Sequence, residues 1–269
     1  MRIALVLEYD GSAHCGWQRQ PSGCSVQDAL EAALSAIACH EVRVVAAGRT
    51  DAGVHAIYQA AHFDTSAQRP PDAWVRGVNT LLPGRIAVRW ASPVADDFHA
   101  RYCAKGRRYL YLLSNHAVRP GLLHGRAGWF HRPLDVDRMR AAAQVLLGEH
   151  DFSAFRAAEC QAASPVRTLT RLEIVREGDL IVFDLCANAF LQHMVRNIVG
   201  CLVYVGKGRY SSEWVQALLE KRDRRLAAPT FDAAGLYLAG VDYDASWNLP
   251  TPAGLPPADT WAALAGRRG

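Results

Sequence analysis

RIALVLEYDGSAHCGWQRQPSGCSVQDALEAALSAI, running from Arg2 to Ile37, sets the plan of the whole chain. Arg2 to Tyr9 alternates as a strand does, and Ser25 opens a capping-box-like S-x-x-D before Val26, Leu30, Leu34 and Ile37 at helical spacing. Outward from this strand and helix, Val42 to Ala47 and Ile57 to Asp64 read as two more strands. Asp72 to Leu82 reads as a helix stopped by Pro83-Gly84, and Ile86 to Ala91 as a strand. The first half therefore runs β-α-β-β-α-β. The second half follows the same order, with a strand at Arg107 to Leu113 and a helix at Val136 to Leu147. A hairpin comes next, its arms Leu169 to Arg176 and Leu180 to Ala187 joined at Glu177-Gly178-Asp179. A long helix from Phe190 to Val205, a short one from Glu213 to Leu219 and a strand from Leu236 to Tyr243 complete it. This order predicts an α+β protein of two ferredoxin-like halves, 1–100 and 101–245, with merged antiparallel sheets and a central cleft. Residues 246–269 hold Pro250, Pro252, Pro256 and Pro257 and read as an extended or partly disordered tail.

With 269 residues, half of them hydrophobic, the chain can bury one large core or two medium ones. The apolar run Met1 to Leu7 is ended by Glu8 and Asp10, too early for a signal peptide or a membrane span, so a cytoplasmic protein is expected. Seven cysteines form no C-x-x-C pair, and their odd count reads as thiols, mostly filling the core of a protein in a reducing compartment. His14-Cys15 and Cys39-His40 lack the short ligand spacings of a zinc site, so no metal is expected.

The net charge of +4 says less than its distribution. Phe98 to Leu134 contains no Asp or Glu, but it carries Arg101, Lys105, Arg107, Arg108, Arg119, Arg126 and Arg132, with four histidines among them. Such a stretch neutralises phosphates, and Tyr102, Tyr109 and Tyr111 offer rings for stacking on bases. A solvated basic face accounts for the charges equally well.

One loop stands out for chemistry. Gly48-Arg49-Thr50-Asp51-Ala52-Gly53-Val54-His55 lies between two predicted strands, where a sheet can hold a reactive carboxylate among small neighbours. An Asx turn is the plainer reading of such an Asp. On the helix from Phe190, Leu191, Met194, Val195, Ile198 and Leu202 form an apolar surface, while His193, Arg196, Asn197 and Gly200 form a polar stripe. An interior Arg196 is costly unless it meets a carboxylate, which it would keep ionised, and an exposed helix face is the plainer alternative for the stripe. Asp51, Asp184 and Glu173 are all candidate partners. Tyr111 reads as core, and Tyr109 on the same strand face is open to either role. The chain has no G-x-x-x-x-G-K-[ST], G-x-S-x-G or H-E-x-x-H, so nucleotide triphosphatase, α/β-hydrolase and zincin chemistry lack their usual signals.

Taken together, these stretches resemble the TruA family of tRNA pseudouridine synthases along nearly the whole chain. The resemblance rests on Tyr9-Asp10-Gly11 with Gly16-Trp17-Gln18, Gly48 to Ala56, Phe98-His99-Ala100-Arg101 with Arg108-Tyr109, Phe190 to Gly200, and Gly235 to Leu238, in the family's order. It implies an isomerase acting on uridines at positions 38–40 of the tRNA anticodon arm, as a homodimer and without a cofactor. It implies Asp51 as catalytic carboxylate, Arg49 displacing the target base, Tyr109 stacking on the flipped uracil, Arg196 pairing with Asp51, and Leu236 lining the uracil pocket. Arg101, Arg108 and His193 join the expected substrate-binding residues. His14-Cys15 before Gly16 departs from the family's usual aromatic residue there. The alternatives are a noncatalytic RNA-binding protein or chaperone on the same fold, and a metal hydrolase using the histidines.

Overall fold

Ten strands and five α-helices are built from the described residues, 1–252, of the computed structural model. Contacts divide them into two units, one comprising Met1–Gly106 with the segment from Tyr237 onward, the other Arg107–Leu236. The final strand thus joins the first unit, although it follows the second half in the sequence.

In the first unit, β1 (Arg2–Tyr9) lies between β3 (His55–Asp64) and β4 (Ile86–Val94) and is antiparallel to both. β2 (Val44–Ala46) adds antiparallel to the other edge of β3, and the last strand, β10 (Leu236–Asp242), pairs parallel to β3 through Tyr237 and Leu238. Helix α1 (Val26–Ala38) starts at the expected cap: the Ser25 hydroxyl accepts from the Asp28 amide and the Asp28 carboxylate returns a bond to Ser25. Its Val26, Leu30 and Leu34 are buried. The helix expected over 72–82 opens as a π-turn (Ala73–Gly77) before α2 (Val78–Leu81) and stops before Pro83. Its Trp74 meets Phe63 of β3 edge-on, with centroids 5.1 Å apart.

β1 alternates in sequence, yet Ile3 to Leu7 are all buried. Its second face is covered because Ala4, Phe98 and Ala100 form a cluster with Trp90, Tyr243, Trp247 and Leu249. Burying a phenylalanine of this kind contributes about 2–3 kcal/mol. That packing corrects the expectation for the tail: Ala245–Trp247 form a 3-10 turn, and the Tyr58 hydroxyl donates to the Pro250 carbonyl at 2.6 Å. The rest of the tail, with Pro256 and Pro257, lies outside the described residues.

In the second unit, β5 (Gly106–Asn115) is antiparallel to β9 (Leu180–Ala187), which forms the expected hairpin with β8 (Val166–Glu177). Two short strands escaped the sequence reading: β6 (Gly128–Phe130), parallel to β5, and β7 (Gly148–Asp151), antiparallel to β8. Helix α3 (Val136–Ala143) tightens into a 3-10 turn through Leu146. It packs with α4 (Met194–Gly206) and α5 (Ser212–Lys221). Tyr111 is fully buried, as expected, and donates to the Asp232 carbonyl at 2.7 Å.

Not all cysteines are thiols. Cys15 and Cys24 form a disulfide, brought together by a turn in which the Cys15 amide donates to the Cys24 carbonyl. Of the others, Cys160 and Cys201 are buried, and Cys39 is exposed. Among the described residues, no helix is long and apolar enough to cross a membrane.

Candidate active site

The loop between β2 and β3 is fastened by its backbone. The Gly48 carbonyl accepts from Gln59 Nε2 at 2.8 Å, and the Thr50 carbonyl accepts from the Trp17 amide at 2.9 Å. Beneath them, the Tyr9 and Thr50 hydroxyls are 2.7 Å apart, and both residues are buried. Two glycines press against the loop: an added Cβ at Gly11 would overlap the Val54 carbonyl oxygen, and at Gly16, whose φ is +91°, it would stand 2.8 Å from the Thr50 carbonyl oxygen and 3.0 Å from the carbonyl carbon of Asp51. A side chain at Gly16 would meet both backbone strain and overlap. The two ends of the first motif, Tyr9-Asp10-Gly11 and Gly16-Trp17, therefore form the seat of the Asp51 loop.

Asp51 is half-buried at the tip of this seat, and its carbonyl closes a turn with the Val54 amide at 3.1 Å. Arg49, two residues before it, is exposed. Beside the loop, His55 proves to be the first residue of β3; it accepts from the Gly11 amide through Nδ1 at 3.1 Å and stacks on Tyr237 at 4.6 Å. Asp10 lies 3.3 Å from the same imidazole nitrogen. Burial raises the Asp10 pKa, but hydrogen bonds from Ser12 and the charges of His55 and Arg85 leave it below the usual carboxylate value.

Arg101 is also on the first unit. The His99 Nδ1 accepts from the amides of Arg101 and Tyr102, each at 3.2 Å, and buried His62 accepts from the Ala100 amide at 3.1 Å. These two imidazoles shape a turn that presents Arg101 and a 76% exposed Tyr102 to solvent. Nothing in the spacing of F-H-A-R announced this role for its histidine.

The second unit holds the remaining predicted residues. Tyr109 on β5 is half-buried and meets Phe190 edge-on, with centroids 5.0 Å apart. Arg108, expected to bind substrate, makes two 2.8 Å hydrogen bonds to Asp184, the first cause of its raised pKa. Register explains the pair: Arg108 lies opposite Cys186 of β9, two residues from Asp184 on the same face. Across β8, Asp184 is opposite Glu173, with Arg171 reaching both carboxylates, at 2.6 Å to Glu173 and 3.0 Å to Asp184. Asp184 and Glu173, both candidate partners for Arg196, thus have Arg108 and Arg171 beside them.

Arg196, Asn197 and Gly200 of α4 pack against another stretch of the same unit. Arg196 donates through Nε to the Phe231 carbonyl at 2.8 Å, and the Phe231 amide returns a bond. Fully buried Asn197 donates to the Phe155 carbonyl and accepts from Thr230 and Arg224. At Gly200 an added Cβ would stand 2.5 Å from the Pro229 carbonyl oxygen. Segment 228–231 is therefore clamped to the helix, and a few residues on it delivers Leu236, buried at the start of β10. The helix itself starts at Met194, four residues later than expected, because His193 is left-handed with φ 63° and cannot continue it backward.

Comparison with known proteins agrees with the motif order. The profile of a family described as tRNA pseudouridine synthase matches residues 5–103 and 142–244. A protein named tRNA pseudouridine synthase A from Nitrosomonas eutropha is 61% identical over 251 residues, which is 93% of this chain and 91% of that one. Proteins of the same name from Dechloromonas aromatica and Burkholderia pseudomallei are 59% and 56% identical, covering 94% and 99% of this chain and 96% and 100% of theirs.

Proposed function

Because this chain belongs to the tRNA pseudouridine synthase family, we propose that it isomerises uridine to pseudouridine in tRNA with Asp51 as the catalytic carboxylate. The observation that carries this reading is a half-buried Asp51 on a loop whose backbone is pinned from below. Such a seat fixes the position of the loop that carries the carboxylate.

The reaction breaks the bond from ribose C1′ to uracil N1, turns the base, and joins C1′ to C5. The hydrogen on C5 leaves as a proton and N1 gains one, so no electrons are exchanged with an outside partner. The ring supplies both leaving group and new nucleophile, and neither metal nor cofactor is called for. Ionised Asp51 attacks C1′, adds to C6, or removes a ribose proton on the way to a glycal.

A uridine stacked in a stem is out of reach, and extrusion costs a few kcal/mol. Arg49 offsets this by entering the vacated place, and Tyr109 by stacking on the flipped ring. Arg196 pairs with Asp51, while Leu236 lines the uracil pocket. The finer architecture belongs to the same reading: two ferredoxin-like halves with merged sheets and a central cleft, a cytoplasmic homodimer, and targets at positions 38–40 of the anticodon arm. Arg101 and His193 serve binding. Arg108 does so in a mixed role, since its guanidinium also holds Asp184.

Incubation with tRNA tritiated at uracil C5 tests the proposal, because the new bond replaces that hydrogen. The wild type releases tritium, whereas Asp51→Asn binds tRNA with similar affinity and releases at least about 1,000-fold more slowly. An Asp51→Asn protein of full activity would remove the carboxylate from its role. Tight binding with no release by the wild type would favour the noncatalytic alternative.

A further inference from the structure

A second concentration of charge and rings lies in the second unit, on residues that the reaction does not use. Lys207 and Arg209 follow α4 directly, and Arg132 follows β6. The Lys207 Nζ stands 3.4 Å from the Tyr204 ring centroid and 5.8 Å from that of Phe130. The Arg209 guanidinium is 5.6 Å from the Tyr210 ring. Tyr210 stacks on Trp214 at 4.0 Å with planes 19° apart, and Tyr204 lies nearly parallel to it at 6.1 Å. Three rings are thus bordered by Lys207 and Arg209, and the Arg132 charge is near enough to act on that of Lys207.

Among the described residues, none of Arg132, Lys207 and Arg209 has a carboxylate within ion-pair distance. The acids nearest in the chain are engaged elsewhere, Asp135 with Arg138 at 3.2 Å and Glu213 with the Ser212 hydroxyl at 3.2 Å. Burial first, then the charges of Arg209 and Arg132, lower the Lys207 pKa, so the like charges are close enough to repel. A cluster that raises its own electrostatic energy is relieved when a polyanion enters.

We infer that Arg132, Lys207 and Arg209, with the Tyr204, Tyr210 and Trp214 rings, form a docking platform for the phosphodiester backbone of tRNA. This inference rests on the tRNA reading above. A simple anion site has no use for rings, and a peptide of acidic residues brings no aromatic bases to stack on them. Ribose–phosphate chains with bases at intervals match both parts of the cluster. Contacts of this kind fix register and orientation and leave the chemistry to other residues.

The test is tRNA binding by filter retention across a KCl series, beside steady-state tritium release, for the wild type and Lys207→Gln/Arg209→Gln. Each cation withdrawn from a phosphate makes the slope of log affinity against log salt shallower by about 0.7–0.9. The double variant is expected to be shallower by about 1.4–1.8, with KM raised about ten-fold or more and kcat changed less than about two-fold. Unchanged affinity and slope in a variant of native melting temperature overturn the platform. Should the double variant lose cooperative unfolding, Arg209→Gln alone, at an exposed side chain, carries the same test at about half the slope change. Polyglutamate that competes with tRNA charge for charge in the wild type also overturns it, since an acidic protein then fits equally. Absence of tritium release with the affinity difference intact sinks the isomerase reading and leaves the platform. Full release with unchanged KM sinks the platform alone.

Discussion

The Asp51 loop and the first turns of α4 are both held firmly, but by opposite parts of the chain. In the loop the held groups are backbone carbonyls, those of Gly48 and Thr50, gripped by Gln59 and Trp17. In the helix the gripping groups are side chains, Arg196 and Asn197, which reach out to the carbonyls of Phe231 and Phe155. The difference separates two kinds of positioning. A loop fastened by its backbone carries its side chains on a position that Gln59 and Trp17 fix through main-chain carbonyls. A helix fastened through its side chains makes those side chains part of the fold, so substitution there disturbs structure before chemistry.

The largest stability effect is therefore expected at Asn197. Replacing it with Ala removes three hydrogen bonds and leaves the Phe155 carbonyl and the Arg224 guanidinium without this partner. The loss is about 2–4 kcal/mol, read as a lower urea midpoint at an unchanged slope. A near-neutral result would break the comparison, because the stripe would then be dispensable to the fold.

A second contrast lies within the first unit, where imidazoles accept from the amides of the 98–103 turn and Gln59, Trp17 and Tyr9 hold the Asp51 loop. Burial, helped by the Arg2 and His99 charges, pushes the His62 pKa down to about 4. In the unfolded chain it is about 6.5, so between these values the unfolded state binds more protons and stability rises with pH. The contribution is complete above about pH 6.5 and is lost as pH falls toward 4. From this one group, lowering the pH from about 7.5 to about 5 costs about 2 kcal/mol. His62→Asn keeps an acceptor for the Ala100 amide and is expected to flatten that part of the stability curve. An equally steep curve in the variant would assign the acid sensitivity elsewhere.

Local patterns were legible in the sequence. The capping box at Ser25, the hairpin turn at Gly178 and the buried Tyr111 each follow from neighbouring residues or strand alternation. What depends on register or on distant packing was not. Arg108 meets Asp184 only once β5 is aligned with β9, and the two short strands are too brief to show a period. The apolar spacing runs on through Phe190 and Leu191, hiding the break at His193 that leaves Phe190 beside Tyr109. The bond between Cys15 and Cys24 arises from a turn that no spacing rule describes. For the candidate site, Asp51 was visible as a small-residue loop, whereas its seat was visible only as separate Tyr and Gly residues far earlier in the chain.

The smallest expected stability change makes the sharpest test of that seat. Tyr9→Phe keeps the ring against Trp17, at a centroid distance of 5.9 Å, and removes the hydroxyl, which faces Thr50 at 2.7 Å and accepts a longer 3.4 Å bond from Gln59 Nε2. The short bond to Thr50 dominates the loss, which is about 1 kcal/mol in stability. If the seat merely supported the fold, activity at a temperature well below unfolding would be unchanged. If it aims Asp51, the same loss enters the activation barrier, and about 1 kcal/mol lowers kcat roughly five-fold with KM for tRNA unmoved. Thr50→Ser keeps a hydroxyl facing Tyr9 and removes only a methyl group, so the pair of variants distinguishes a missing bond from missing packing. A Tyr9→Phe enzyme with wild-type kcat would show that the loop keeps its aim without this hydroxyl, and the backbone carbonyls alone would then define the seat.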